Sequence, residues 1–212
     1  MQEFSRRTIR QKPFILDRQM SAGRESLKGG CDMNELRGKR ILMIIPSKNY
    51  RDEELNVPKK MFEDAGAAVE VASEKAGRAR GMLGSRIESD IVYSEVKVDD
   101  YDAVIFVGGV GSKIFWNDPL AHTLAKEAVE KDILLCAICL APATLANAGV
   151  LRGKSATSYN LASAALKKAG ATYTGNAVEV DGRIITGEGP RAAEEFAQTI
   201  IQELSKSRHA TK

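Results

Sequence analysis

Three short apolar runs constrain this chain more than any other feature: KRILMIIP, YDAVIFVGG and ILLCAICLAP. Each is too short for a core helix, is apolar at successive positions, and ends in glycine, proline or small residues. That is the signature of a strand buried on both faces of a sheet. Between the runs lie segments of helical periodicity. Glu53 to Ala65 carries Leu55, Met61 and Phe62 and stops at Gly66, and Pro119 to Lys131 reads as a second helix. Leu140 onward, Leu161 to Ala169, and Pro190 to Leu204 follow, the last with proline in its first turn. AAVEVAS alternates as a strand, and Lys154 to Ser158 reads as a short strand. Ala177 to Ile185 reads as a hairpin turning at Asp181-Gly182. Residues 75–100 are mixed, with Gly77, Gly81 and Gly84 as breakers and short strands or a hairpin near Ile91 to Val98. Strand–helix alternation implies right-handed crossovers and an α/β fold whose mostly parallel sheet is covered by helices on both faces.

Ligands of such sheets bind outside the carboxyl ends of the strands. Three loops fall there: the one after Pro46, the Gly108-Gly109 turn, and the junction at Cys139. Cys139 follows an apolar strand and precedes a helix. Ala137 and Ala141 stand two before and two after it, as a sharp nucleophile elbow requires. A cysteine at a helix start meets free N–H groups and the helix dipole, which favour the thiolate. The plainer reading of a free cysteine is a small buried hydrophobe.

Cys136 and Cys139 also match C-x-x-C. Three residues of strand span roughly 10 Å, whereas a disulfide wants Cα atoms within about 7 Å. Cys136 therefore reads as core. A zinc site would have to draw on Cys31, His122 and His209, so no metal and no cofactor is expected. Gly108-Gly109-Val110-Gly111 lacks nucleotide-loop spacing. It reads either as a plain tight turn or as a close backbone approach, the amide of Gly109 or Val110 forming an oxyanion hole with that of Leu140. Asp52, Glu53 and Glu54 open the first helix, where acids match the dipole; one of them can also serve as acid/base partner to Cys139.

Charge divides the chain. Residues 1–30 hold seven basic and three acidic residues, a net +4, so the remainder carries about −1 of the total +3. Residues 1–38 read as a basic extension without a role of its own and not as a nucleic-acid arm. Met33 opens a natural beginning; residues 39–206 form the domain and 207–212 a tail. No apolar run approaches the roughly 20 residues of a membrane span, and no secretory h-region is present. With three cysteines in no scaffold spacing, the expected location is a reducing cytoplasm.

Taken in order, Glu54-Leu-Asn-Val-Pro58, FVGG, AICLAP, AGVLRGKSATSY and GEGPRAAEEFA resemble the ThiJ/PfpI superfamily from about Lys39 to Leu204. The resemblance implies a flavodoxin-like three-layer sandwich, with Cys139 as the reactive cysteine and Glu54 as a buried partner that hydrogen-bonds the thiolate and lowers its pKa. It puts the family's glycine pair at Gly108 and Gly109. It also marks departures. Leu140 stands where PfpI-type peptidases have histidine, and Tyr159 where the Parkinson-disease-associated branch has one. Arg86 aligns with a pocket arginine of that branch. The implied function is a glyoxalase- or deglycase-like stress protein acting on small 2-oxoaldehydes, as a homodimer or higher homo-oligomer. A redox sensor or chaperone that oxidises Cys139 without turnover is one alternative. A cysteine peptidase with a base from a neighbouring subunit is the other.

Overall fold

The strands β1 (Arg40–Ile45), β7 (Ala103–Phe106) and β8 (Leu134–Ile138) are the three apolar runs, and they sit side by side in the middle of the sheet. The computed structural model describes residues 35–206; Cys31, Met33, His209 and the basic segment lie outside the described residues. The other strands in chain order are β2 (Lys48–Tyr50), β3 (Ala68–Ser73), β4 (Gly77–Gly81), β5 (Arg86–Ser89), β6 (Ile91–Val92), β9 (Ser155–Ala156), β10 (Thr172–Tyr173), β11 (Val178–Asp181) and β12 (Ile184–Gly187). The helices are α1 (Asp52–Asp64), α2 (Pro119–Glu130), α3 (Pro142–Asn147), α4 (Asn160–Lys168) and α5 (Ala193–Lys206). The main sheet runs β11-β12-β8-β7-β1-β3-β6, parallel except for the edge strand β11.

The two-residue period of the strands divides the core in two. Ile41, Met43 and Ile45 of β1 face one side with Ile105 and Cys136. Leu42 and Ile44 face the other with Val104, Phe106 and Leu135. On the first side they meet Leu55 and Phe62 of α1 and Phe196 and Ile200 of α5. On the second they meet Leu124 of α2, Leu145 of α3 and Leu166 of α4. This is the three-layer α/β sandwich that the alternation of elements predicts.

Local features of the fold bear on the site and on the limits of the domain. Of the short strands or hairpin expected near Ile91 to Val98, a short strand is present as β6, while the hairpin lies upstream, as β4 and β5, and joins β2 in a small separate sheet. Gly81, read as a breaker, is the last residue of β4, and a Cβ there would come within 2.5 Å of the Asp52 carboxylate. The helix expected from Leu140 begins at Pro142. Finally, Leu36 is fully buried and its N–H donates to Ala65 O at 2.8 Å, so the packed domain takes in residues that read as extension. The hairpin of β11 and β12 turns at Gly182, whose φ is +63°.

Candidate active site

Cys139 follows the last residue of β8 with φ +64°, a left-handed conformation that costs a non-glycine residue free energy and persists only where the surroundings enforce it. Its N–H donates to Gly187 O and its C=O accepts from the Tyr159 N–H, both at 2.9 Å. The backbone is thus clamped between β12 and the start of α4. The residue is only 6% exposed. Because α3 starts three residues later, Cys139 is not on a helical first turn. Burial pushes its thiol pKa up, a charge on Glu54 would push it further, and the nearby backbone N–H groups of Gly109 and Leu140 pull it down.

The acids opening α1 have three separate fates. Asp52 accepts from Leu83 N–H at 2.7 Å and Ser85 N–H at 2.8 Å, holding the tip of the β4–β5 hairpin. Glu53 takes both oxygens to the Arg51 guanidinium, at 2.8 and 2.9 Å. Glu54 is fully buried and turns inward; its Oε2 accepts from the Gly108 N–H at 3.1 Å. Its Oε1 has no well-formed hydrogen bond, and the neighbouring polar group is the Cys139 thiol. Burial raises the Glu54 pKa to about 8, despite the thiol, Arg51 and the Gly108 N–H, which all favour the charge. At neutral pH the carboxyl is therefore mostly protonated. Gly108 has to be glycine: a Cβ there would strike Glu54 Oε2 and come within 2.6 Å of Cys139 Cβ.

Above the sulfur opens a pocket of about 600 Å³. Gly109, Val110, Cys139, Leu140 and Tyr159, all singled out in the sequence, line it, and Gly108 and Glu54 stand behind the sulfur. Arg86 does not line it: it is exposed on β5, opposite Arg80. Arg51, Met82, Glu188 and Arg191 line the pocket although sequence reasoning did not single them out. For Glu188 and Arg191 the GEGPR segment is the available signal, as a loop at a strand's carboxyl end. Nothing local marks Met82, which is brought there by the Asp52 clamp on its neighbour Leu83.

His122 Nε2 hydrogen-bonds Trp116 O at 2.9 Å, while Trp116 Nε1 donates to Leu140 O at 2.9 Å. The imidazole therefore approaches the elbow only through an intervening tryptophan. Cys136 is fully buried and unbridged, and burial raises its thiol pKa. Among the described residues no cluster of histidine, cysteine or carboxylate side chains is arranged to hold a metal ion, and no helix is long and apolar enough to cross a membrane.

A parallel sheet covered on both faces, with a cysteine on a strained elbow and a buried glutamate beside it, places this chain among flavodoxin-like thiol proteins. A sequence profile of the DJ-1/PfpI family matches residues 39–203, and the chain belongs to that family. It is 41% identical over 175 residues to the uncharacterized protein MJ0967 of Methanocaldococcus jannaschii, covering 81% of this chain and 85% of that one. It is 30% identical over 149 residues to the deglycase TK1284 of Thermococcus kodakarensis, covering 70% and 90%. Its fold matches the crystal structure of a ThiJ/PfpI domain protein from Brachyspira murdochii with a TM-score of 0.78 and 31% identity, over 80% of this chain and 98% of that one.

Proposed function

We propose that the protein is a cysteine-dependent glyoxalase- or deglycase-like enzyme acting on small 2-oxoaldehydes, with Cys139 as nucleophile and Glu54 as the proton carrier. One observation carries this reading: a fully buried carboxyl with one oxygen on the Gly108 N–H, the other without a well-formed hydrogen bond, and a thiol beside it. An ionised Glu54 would leave a buried anion half-solvated and would repel a thiolate. A neutral Glu54 removes that repulsion and offers the sulfur an O–H donor, so thiolate and protonated carboxyl support each other. The deglycase name of the Thermococcus kodakarensis relative points the same way.

The chemistry needs no external oxidant. The thiolate sulfur adds to the aldehyde carbon C1, forming an S–C bond as the C=O π bond breaks, and the carbonyl oxygen takes the proton of Glu54 to give a hemithioacetal. In this reading the backbone N–H groups of Gly109 and Leu140, which lie near the sulfur, stabilise the oxygen charge in this step. Glu54, now a carboxylate, removes the C1 proton and delivers it to the C2 oxygen, giving an enediol; C2 is then protonated as the C1 hydroxyl gives up its proton. C1 is now oxidised to a thioester and C2 reduced to a hydroxyl. Water cleaves the S–C bond and releases the 2-hydroxy acid, lactate from methylglyoxal. We infer in addition that the protein works in a reducing compartment as a homo-oligomer.

The test is lactate formation from methylglyoxal by wild type, Cys139→Ala and Glu54→Gln. Turnover in wild type, lost in both variants, is the expected result. No lactate, with rapid peroxide oxidation of Cys139, would replace the enzyme by a redox sensor. Cys139-dependent peptide cleavage would instead favour a peptidase, for which neither Leu140 nor the remote His122 supplies a base.

A further inference from the structure

The charges on the pocket wall are unevenly matched. Arg51 is held by Glu53 through Nε and Nη2, which leaves the N–H donors of Nη1 uncommitted. Its pKa is raised first by Glu53 and also by the thiol and Glu54, so its charge is felt at the nucleophile. Arg191 follows Pro190 at the mouth of the same pocket, and its side chain has no ion pair or hydrogen bond among the described residues. Glu188 lies three residues before it, half-buried and likewise without an ion pair. A guanidinium on a pocket wall with no protein anion to meet it is a receptor for a carboxylate or phosphate. Size agrees. A cavity of about 600 Å³ falls in the range of roughly 300–1,000 Å³ that holds drug-sized ligands, so a three-carbon aldehyde fills little of it.

We propose that the pocket selects carbonyl substrates that carry an anionic group, with Arg191 as the specificity-determining residue and Glu188 as the charge that keeps the anion off its own side of the pocket. The inference rests on the 2-oxoaldehyde reading and names the substrate class within it. Arg51 supports the anion from the nucleophile end.

The probes are 4,5-dioxopentanoate, a 2-oxoaldehyde with a carboxylate on a short chain, and its neutral methyl ester. Water adds to each overall, giving the corresponding 2-hydroxy acid. Wild type should prefer the anion by about tenfold in kcat/KM, the size of one charge-assisted hydrogen bond. Arg191→Met should bring the ratio toward one, and Glu188→Gln should raise it. A wild-type ratio near one, or a ratio that Arg191→Met leaves unchanged, overturns the proposal. A second readout does not need turnover: glutarate should protect Cys139 from alkylation by iodoacetamide, and Arg191→Met should abolish the protection. If neither aldehyde turns over while glutarate protects through Arg191, the anion site stands and the 2-oxoaldehyde chemistry falls. Turnover with neither preference nor protection removes anion selection alone.

Discussion

Asp52 and Glu54 are both buried carboxylic acids on the first turn of α1, two residues apart, and their environments drive them to opposite charge states. Burial raises both. For Asp52 it is outweighed by the N–H groups of Leu83 and Ser85 and the Ser85 hydroxyl, and the pKa falls below the ordinary aspartate value. For Glu54 it wins, because among the described residues only one backbone N–H and a thiol face the carboxyl as hydrogen-bonding groups, and the pKa rises to about 8. One acid is held in its charged form by the turn it ties down; the other keeps its proton beside the Cys139 thiol. Burial alone does not separate structural from chemical carboxylates. The number of donors aimed at the charged form does.

The comparison can be broken most sharply at Glu54. Glu54→Gln should cut 2-oxoaldehyde turnover by about 10²- to 10⁴-fold, the usual worth of a positioned acid/base. It should also raise the pH at which iodoacetamide modifies Cys139, because an amide cannot pass a proton to or from the sulfur. An unchanged alkylation profile would remove Glu54 from the site's chemistry.

Gly108→Ala tests the contact between the acid and the thiol. The new methyl group lands between Glu54 and Cys139. Overpacking of this kind costs about 1–3 kcal/mol, to be read from the urea midpoint, and turnover should fall with it.

Asp52→Asn should behave unlike Glu54→Gln. An asparagine oxygen can accept from only one of the Leu83 and Ser85 N–H groups as they are arranged. Stability should drop by about 1–3 kcal/mol for the donor left unsatisfied, and KM should rise more than kcat falls as the hairpin beside Met82 loosens. Unaltered KM would mean that Met82 is not a working wall of the pocket.

The pH dependence of stability separates the two acids again, because they give it opposite signs. Asp52, lowered in the folded state, contributes stability that is present above its unfolded pKa and is lost as pH falls through the folded value. Glu54, raised in the folded state, holds a proton that the unfolded chain has released, so its ionisation erodes stability as pH climbs from about 4.5 to about 8. In a Cys139→Ala background, which silences the thiol, Glu54→Gln should flatten that decline in denaturation experiments between about pH 5 and about pH 8.5. Equal slopes would contradict the raised pKa.

Much of this is legible in the order of the amino acids. The apolar runs specify three central strands because their length excludes a helix and their composition excludes a solvent face. Ala137, Cys139 and Ala141 mark the elbow because only small flanking residues permit so sharp a turn. The Gly108-Gly109 pair marks a close approach. Arg86 falls outside the pocket that its alignment suggests because residues 75–100 have no strong period, and their pairing depends on β2, a strand of three residues.

What the sequence by itself determined, then, was the order of the elements and the positions of the chemistry-bearing residues at one edge of the sheet, since these follow from local periodicity and turn sterics. Tertiary structure decided which of three consecutive acids meets the cysteine, which charge state it keeps, and which arginines face the pocket. Those depend on desolvation and on donors from Gly108, Leu83 and Ser85, distant in sequence, that reach the carboxylates only when the first turn of α1 lies beside the loop after β7 and the turn between β4 and β5.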